Sequence, residues 1–75
     1  MTLGQLKLGQ KAVIQKTDGP VELKQRLQEL GFLEGTIVEV MHEAPFFKDP
    51  IAVKVKGTLI AIRRSEANWI EVIHE

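Results

Sequence analysis

Cysteine is absent from the 75-residue sequence, so neither a disulfide nor a thiolate zinc site can stabilise the fold. Small secreted domains tend to be rich in disulfides, so this absence favours a reducing compartment. No apolar run is long enough to span a bilayer, and the N-terminus lacks the basic and apolar regions of a signal peptide. These absences predict a soluble, cytoplasmic protein that is not itself embedded in a membrane.

An excess of positive charge is also missing. Ten basic and ten acidic residues give a formal net charge of zero. Nucleic-acid-binding proteins gain much of their affinity by neutralising phosphates, so they usually carry a basic excess. The sequence therefore argues against a nucleic-acid partner, and a small RNA- or DNA-binding barrel is a disfavoured alternative.

Catalytic signatures are absent as well. There is no glycine-rich phosphate loop of the GxxxxGK type, and His42 and His74 have no evident partner for nucleophilic catalysis. A domain of this size buries only about 60% of its unfolded surface, which leaves little interior for a deep pocket. We therefore expect neither an enzyme nor a bound cofactor.

The chain contains one segment with helical periodicity. Leu23, Leu27 and Leu30 recur at i, i+4 and i+7, which predicts a helix over residues 20–30. Asp18 or Gly19 is expected to be its N-cap, with Pro20 at the first helical position, and Gly31 is expected to end it in a left-handed conformation. Phe32 is expected to fold back onto the last turn.

The rest of the pattern has period two or is β-rich. Five strands are predicted, over residues 11–16, around Val38 and Val40, over residues 51–56, around Ile60 and Ile62, and around Ile70 and Val72. Gly57-Thr58 is the predicted turn of a hairpin. Ser65 is the predicted cap of a helical turn over residues 66–68. We predict one mainly β domain over residues 1–75, with about five strands and one inserted helix. Closure into a small barrel would leave no open sheet edge.

Several motifs then occur in a recognisable order. The first three motifs form the predicted helix end, a turn and the start of a strand: QRLQELGF (residues 25–32), GT (35–36) and VEV (38–40). Five more follow toward the C-terminus: AP (44–45), DPI (49–51), VKG (55–57), IAIRRSEA (60–67) and IEV (70–72). This set spans Leu6 to Val72 and resembles the ferrous iron transport protein A (FeoA) family. One departure concerns residues 45–50, where Phe46 and Phe47 replace a small or aliphatic residue and a glycine.

The resemblance implies an SH3-like barrel in the cytoplasm of a bacterium or archaeon. It also implies a partner, the membrane permease for ferrous iron, which carries a cytoplasmic GTP-binding domain. The expected function is that of an accessory protein docking on this domain. The alternative is a regulatory SH3-like module, similar to the C-terminal domain of metal-dependent repressors, that acts by protein–protein contact.

The candidate partner-binding residues are mostly apolar or cationic: Leu30, Phe32, Phe46, Phe47, Lys54, Lys56, Arg63 and Trp69. For the adjacent aromatics at positions 46 and 47 two interpretations are open: they are anchors for a partner, or one of the rings plugs an open end of the barrel. Lys54, Lys56 and Arg63 are expected to share the outer face of the hairpin, where a solvated face is favoured over contact with an acidic partner. For Trp69, partial burial is favoured.

Two sharper ideas follow from the resemblance. A helper of a GTPase can supply an arginine to the transferring phosphoryl group, and Arg26 and Arg64 are formal candidates that nothing distinguishes from surface arginines. Possible iron ligands include Glu39, His42 and Glu43, because imidazole and carboxylate suit ferrous iron. On a regular strand, however, Glu39 and Glu43 lie on the face opposite His42, so we expect no metal site.

Overall fold

The computed structural model describes all residues, 1–75, and its main feature is a five-stranded antiparallel sheet in the order β4-β3-β2-β1-β5. The strands are β1 (Lys11–Thr17), β2 (Ile37–Glu43), β3 (Ile51–Val55), β4 (Thr58–Ile62) and β5 (Ile70–His74); the helices are α1 (Val21–Glu29) and α2 (Arg64–Ala67), preceded by a 3-10 helix (Leu3–Gln5). The prediction of a mainly β fold with one helix inserted after the first strand is confirmed. None of the helices has the length and hydrophobicity that a membrane-spanning helix requires.

Helix α1 begins one residue later than predicted. Pro20 is the N-cap, with an extended ψ of 144°, and Val21 is the first helical residue. Neither Asp18 nor Gly19 caps the helix; instead the Asp18 carboxylate accepts a hydrogen bond from the Gly19 N–H at 2.9 Å. The carboxylate therefore fixes the turn that precedes the helix rather than the helix itself.

The end of α1 agrees with the sequence pattern. Gly31 has a φ of 108°, which a residue without Cβ adopts at little cost. The Gly31 N–H donates to the Gln28 carbonyl at 3.0 Å and the Phe32 N–H to the Leu27 carbonyl at 3.1 Å, the paired hydrogen bonds of a Schellman motif. The chain thus reverses at Gly31 and directs Phe32 into the interior.

The core contains fifteen buried apolar residues from the sheet, the helices and the N-terminal segment. Thr17 is the one buried polar residue, and its hydroxyl donates to the Phe32 carbonyl at 2.7 Å, which links the end of β1 to the segment after α1. The buried apolar residues are Leu3, Leu6, Ala12, Ile14, Leu27, Phe32, Val38, Val40, Ile51, Val53, Val55, Ile62, Ala67, Ile70 and Val72.

A β-bulge changes the facing of side chains at the end of β2. The pairing register of β2 with β3 shifts at Met41, and beyond the shift Glu43 pairs with Ile51, a residue on the buried face. Such a bulge adds one residue to one strand and therefore inverts the alternation beyond it. The expectation that Glu39 and Glu43 share one face is wrong for this reason.

The β3–β4 hairpin turns one residue earlier than predicted. Lys56 and Gly57, with φ values of 50° and 81°, form the two-residue turn between the paired residues Val55 and Thr58. Positive φ at both central residues is the signature of a type I′ turn. Lys56 therefore belongs to the turn and not to the outer face of a strand.

Helix α2 also begins earlier than the sequence suggested. Arg63 is its N-cap and Arg64 its first residue, so Ser65 is not the cap. The Glu66 carboxylate accepts a hydrogen bond from the Arg63 N–H at 3.2 Å, which satisfies one of the free donors at the helix start.

Candidate functional site

A groove of about 390 Å³ lies between α1 and β4. It is the most prominent concave feature that includes predicted partner-binding residues, since Leu30 and Arg63 both line it. We refer to it as the α1–β4 groove, and its complete lining is Arg26, Leu27, Leu30, Pro50, Ala61, Ile62, Arg63 and Glu66.

The charges of the α1–β4 groove are partly neutralised within the molecule. Arg26 on α1 forms an ion pair and hydrogen bond with Glu66 on α2. Arg63 is exposed and forms no ion pair. The groove therefore combines apolar side chains with one uncompensated positive charge.

The aromatic loop, residues 44–50, projects two phenylalanines into solvent. Phe46 is 78% exposed and Phe47 is 96% exposed. The loop is closed at its base by a hydrogen bond from the Ala44 N–H to the Pro50 carbonyl at 3.0 Å. Neither ring plugs an end of the barrel, so the structure decides against that alternative for these two residues.

Phe47 also has an unfavourable backbone conformation. Its φ is 64° and that of Lys48 is 56°, both in the left-handed region. Bulky residues with Cβ atoms are uncommon there, whereas glycine would be unstrained. Folding alone would be served better by glycine at position 47, so the exposed ring is a candidate for a function outside the fold.

The aromatic loop and the α1–β4 groove form one continuous surface. A shallow depression of about 230 Å³ beside the loop shares Pro50 and Ala61 with the groove. Its remaining lining comes from the loop and the neighbouring strands: His42, Ala44, Pro45, Ile51 and Ala52. Two predicted residues, Leu30 and Arg63, thus line the groove, and two others, Phe46 and Phe47, directly follow the loop residues Ala44 and Pro45 that line the depression.

Arg64 holds the aromatic loop in place. Its guanidinium donates to the carbonyls of Lys48 at 2.8 Å, Gly4 at 3.0 Å and Leu6 at 2.9 Å. The same group forms an ion pair with Glu43 at 2.9 Å. The bulge at the end of β2 is what brings this carboxylate within reach.

The backbone of Arg64 adds a further contact, since its N–H donates to the Asp49 carboxylate at 2.9 Å. Because the guanidinium is already bonded to three carbonyls and one carboxylate, Arg64 has a structural role and is not an arginine available to a phosphoryl group. Arg26 is likewise engaged, by Glu66.

The remaining cationic candidates lie elsewhere. Lys54 and Lys56 line a separate depression of about 240 Å³ that includes Ile37 and Glu39. Arg63 follows the far end of β4, about 17 Å from the turn for five residues of extended chain. The prediction that Lys54, Lys56 and Arg63 share the outer face is wrong for Lys56, which is a turn residue; Lys54 and Arg63 are both exposed but lie toward opposite ends of the hairpin, so the three charges form no single cluster.

Trp69 is 45% exposed, in agreement with the favoured partial burial. Its ring packs over Gly19, where an added Cβ would lie 3.1 Å from the indole carbons, and its carbonyl accepts the Asp18 N–H at 3.0 Å. Trp69 does not line the α1–β4 groove. It stays a candidate contact residue at a different corner of the molecule.

The prediction that Phe32 contacts a partner is wrong. Its side chain is completely buried in the core, so it cannot contact a partner while the fold is intact. The physical reason is the Schellman motif, which turns the chain inward after Gly31.

No group of three or more His, Cys, Asp or Glu side chains is placed to hold a metal ion.

Sequence reasoning missed several residues of the surface. Pro50, Ala61 and Glu66 line the α1–β4 groove, but only the tertiary structure brings them together. One sequence signal was available, since residues 58–62 (TLIAI) contain none of the charges or prolines that usually protect an edge strand.

Comparison with known proteins identifies the family. The FeoA domain model matches residues 1–74. The chain belongs to the FeoA family. A putative Fe(2+) transport protein A from Campylobacter jejuni is 36% identical over 72 residues, which are 96% of each protein. FeoA from Stenotrophomonas maltophilia, crystallised with zinc and described as an SH3 domain protein, superposes with a TM-score of 0.85 at 34% identity, covering 97% of this chain and 89% of that one.

A second FeoA relative has a different organisation. The Fe(2+) transport protein A/Fe(2+) transporter FeoB fusion protein of Porphyromonas gingivalis is 33% identical over 72 residues, 96% of this chain but only 8% of the fusion protein. A manganese-dependent transcriptional repressor shares the fold alone, with a TM-score of 0.86 over 41% of its length at 13% identity. The SH3-like fold predicted for this FeoA chain is confirmed.

Proposed function

We propose that this chain, one FeoA-like domain over residues 1–75, is a cytoplasmic accessory protein of bacterial ferrous iron uptake. It docks on the cytoplasmic GTP-binding domain of the membrane ferrous iron permease and does not itself catalyse a reaction. The observation that carries the proposal is the pair of exposed phenylalanines, one of them in a conformation that disfavours any side chain.

Exposed aromatic rings suit such a docking role. Aromatic side chains are enriched among the residues that dominate the binding energy of protein interfaces. The loop that carries Phe46 and Phe47 adjoins the α1–β4 groove through the depression lined by Ala44 and Pro45, so a partner that engages the rings can extend over Ala61 into the groove. The depression is lined mostly by apolar residues, and the groove adds the charged side chains of Arg26, Arg63 and Glu66, a combination of apolar and charged groups that protein interfaces commonly have.

The organisation of the Porphyromonas gingivalis relative supports the choice of partner. In that protein an Fe(2+) transport protein A region and an Fe(2+) transporter FeoB occur in one polypeptide. Covalent linkage raises the effective concentration of two modules for each other, so fusion is favourable where the modules act together.

The proposal is tested by binding of the purified chain to the cytoplasmic domain of the permease from the same organism, measured by calorimetry. The Phe46→Ser/Phe47→Ser variant should bind at least about 30-fold more weakly, the loss of about 2 kcal/mol typical of truncated anchors. The matched control is Ile37→Ser, which removes a half-exposed apolar side chain from the depression that contains Lys54. Unchanged affinity of the double variant would contradict docking through the aromatic loop.

A regulatory module that acts on a repressor is the second candidate. The shared fold with the manganese-dependent repressor favours it, at a level of identity that supports the fold alone. The neutral net charge keeps direct nucleic-acid binding out of both proposals. Deletion of the chain separates the two: reduced ferrous iron uptake at unchanged permease transcript supports the accessory role, whereas altered transcript supports the regulatory one.

A further inference from the structure

The two edges of the sheet differ in how they are covered. The outer edge of β5 is protected by the N-terminal segment, because the Val72 N–H donates to the Met1 carbonyl at 2.9 Å and Thr2 forms an isolated bridge with Glu71. At the other end of the strand order, β4 pairs only with β3. No backbone hydrogen bond outside that ladder involves residues 58–62.

The backbone groups left unpaired on β4 follow from its register. Val55 and Thr58 flank the two-residue turn and form a hydrogen-bonded pair, and such pairs alternate along an antiparallel ladder. Thr58, Ile60 and Ile62 therefore direct their N–H and C=O groups toward β3. Leu59 and Ala61 direct theirs outward, so two donors and two acceptors lie along the free edge.

Nothing in β4 protects this edge. The strand contains no charge, no proline and no bulge, which are the usual means of preventing pairing with another chain. Leu59 is 61% exposed on the face that points to solvent. The α1–β4 groove lies along the same strand, and its exposed wall on the helix side includes Arg26 and Leu30.

The charge beside the edge indicates the chemistry of an occupant. Arg26 and Glu66 neutralise each other, whereas Arg63, just beyond the end of β4, has no ionic partner. A strand that extends past Ala61 would bring its own residues close to this guanidinium. A carboxylate at that position would form a charge-assisted contact, and an ammonium group would be repelled.

We propose that the free edge of β4 is a strand-addition site for an extended segment of a partner protein. The segment is apolar, about five residues long and acidic where it reaches Arg63, and it hydrogen-bonds to the outward groups of Leu59 and Ala61 while placing alternate side chains in the α1–β4 groove. This inference goes beyond the proposed function, since it holds whichever protein supplies the segment. A second copy is a poorer occupant, because its β4 strand lies between Lys56 and Arg63 and would bring no carboxylate to the Arg63 guanidinium.

Two synthetic peptides test the proposal on the full chain labelled with ¹⁵N. One alternates valine and threonine over five residues with an aspartate at each end; the other carries lysines instead. The acidic peptide should shift the amide signals of Leu59 and Ala61 and slow their hydrogen exchange, whereas Ile60 and Ile62 are protected beforehand. The lysine peptide should bind at least about tenfold more weakly.

Two variants localise the effect. Arg63→Glu should reverse the preference between the peptides. Ala61→Pro removes an outward N–H that the β3–β4 ladder does not use, so it should abolish binding with the amide spectrum otherwise preserved, while Ala61→Ser binds as the unmodified chain does. If Ala61→Pro fails to fold, the charge reversal at position 63 decides the matter.

Several results would overturn the proposal: no binding at millimolar peptide, equal binding of both peptides, or signal shifts confined to residues away from β4. Sedimentation is measured in parallel, because a dimer that the acidic peptide dissociates would assign the edge to a second copy instead.

Discussion

Replacement of Arg64 by alanine should destabilise the domain far more than its position at the start of a short helix suggests. The guanidinium joins four separate segments: the N-terminal segment through Gly4 and Leu6, the end of β2 through Glu43, the aromatic loop through Lys48, and α2 itself. No other side chain in the molecule forms as many hydrogen bonds to distant parts of the chain. Its loss would leave three carbonyls and one carboxylate without their partner.

The magnitude follows from this geometry. A hydrogen bond to a charged group contributes about 1.5–3 kcal/mol when its partner is buried, and less where water can replace it. The side chains of Arg64 and Glu43 are each 21% exposed, so water compensates part of the loss. We expect Arg64→Ala to lower the free energy of unfolding by about 3 kcal/mol, a large share of the roughly 5–15 kcal/mol of a small domain. Arg64→Lys should recover at most about 1 kcal/mol of that stability, because an ammonium group cannot replace the several donors of a planar guanidinium.

Urea denaturation followed by circular dichroism measures these differences. The matched control is the neighbouring Arg63→Ala, which removes an exposed arginine without an ion pair and should cost less than about 0.5 kcal/mol. A double-mutant cycle with Glu43→Gln isolates the contribution of the ion pair. If Arg64→Ala and Arg63→Ala unfold within 1 kcal/mol of each other, by the scale of a single net hydrogen bond, the structural role given to Arg64 is refuted.

Three further outcomes are expected. Leu27→Ala empties a fully buried site and should lower the free energy of unfolding by about 2–5 kcal/mol in the same denaturation assay; a smaller loss would contradict the packing of α1. Phe47→Gly should raise the free energy of unfolding by about 0.5 kcal/mol: removing the left-handed strain gains about 1–2 kcal/mol, and the greater flexibility of glycine in the unfolded chain costs about 0.5–1 kcal/mol. Phe46→Gly should give no such gain, because Phe46 has no positive φ. The Gly19 N–H and then Lys16 hold the pKa of Asp18 below its ordinary value, so its stabilising effect is present above about pH 4 and is lost as pH falls further; Asp18→Asn should flatten that acid limb of the stability profile.

The helix and the strands were predictable because their signals are local. The leucine spacing of α1 and the glycine after it specify a helix that ends at a Schellman motif, and the structure has both. The bulge at Met41 was not predictable, since it depends on how β2 pairs with β3 and not on the residues of β2 alone. One inserted residue was enough to move Glu43 from the outer face to the end of the barrel beside Arg64.

The candidate site was predictable only in part, for the same reason. Adjacent aromatics between prolines indicated a candidate contact loop but left open whether one ring plugged the barrel, and the structure shows both rings exposed. The groove beside the loop depends on side chains from α1, β4 and α2 that are up to 40 residues apart, such as Arg26 and Glu66. Phe32 was misplaced because its apolar character suits an interface and a core equally, and only the direction of the chain after Gly31 distinguishes the two.

The aromatic loop combines fixed backbone with free side chains, and this combination is what docking requires. Its backbone is held at two points, by the hydrogen bond between Ala44 and Pro50 and by the bond from the Arg64 guanidinium to the Lys48 carbonyl, and the Asp49 carboxylate adds a third contact by accepting the Arg64 N–H. A partner that binds the rings therefore does not have to order the loop, and ordering is one of the main costs of association. The strain at Phe47 is sustained by these same bonds, so the arginine that stabilises the fold also holds the proposed binding residues in position.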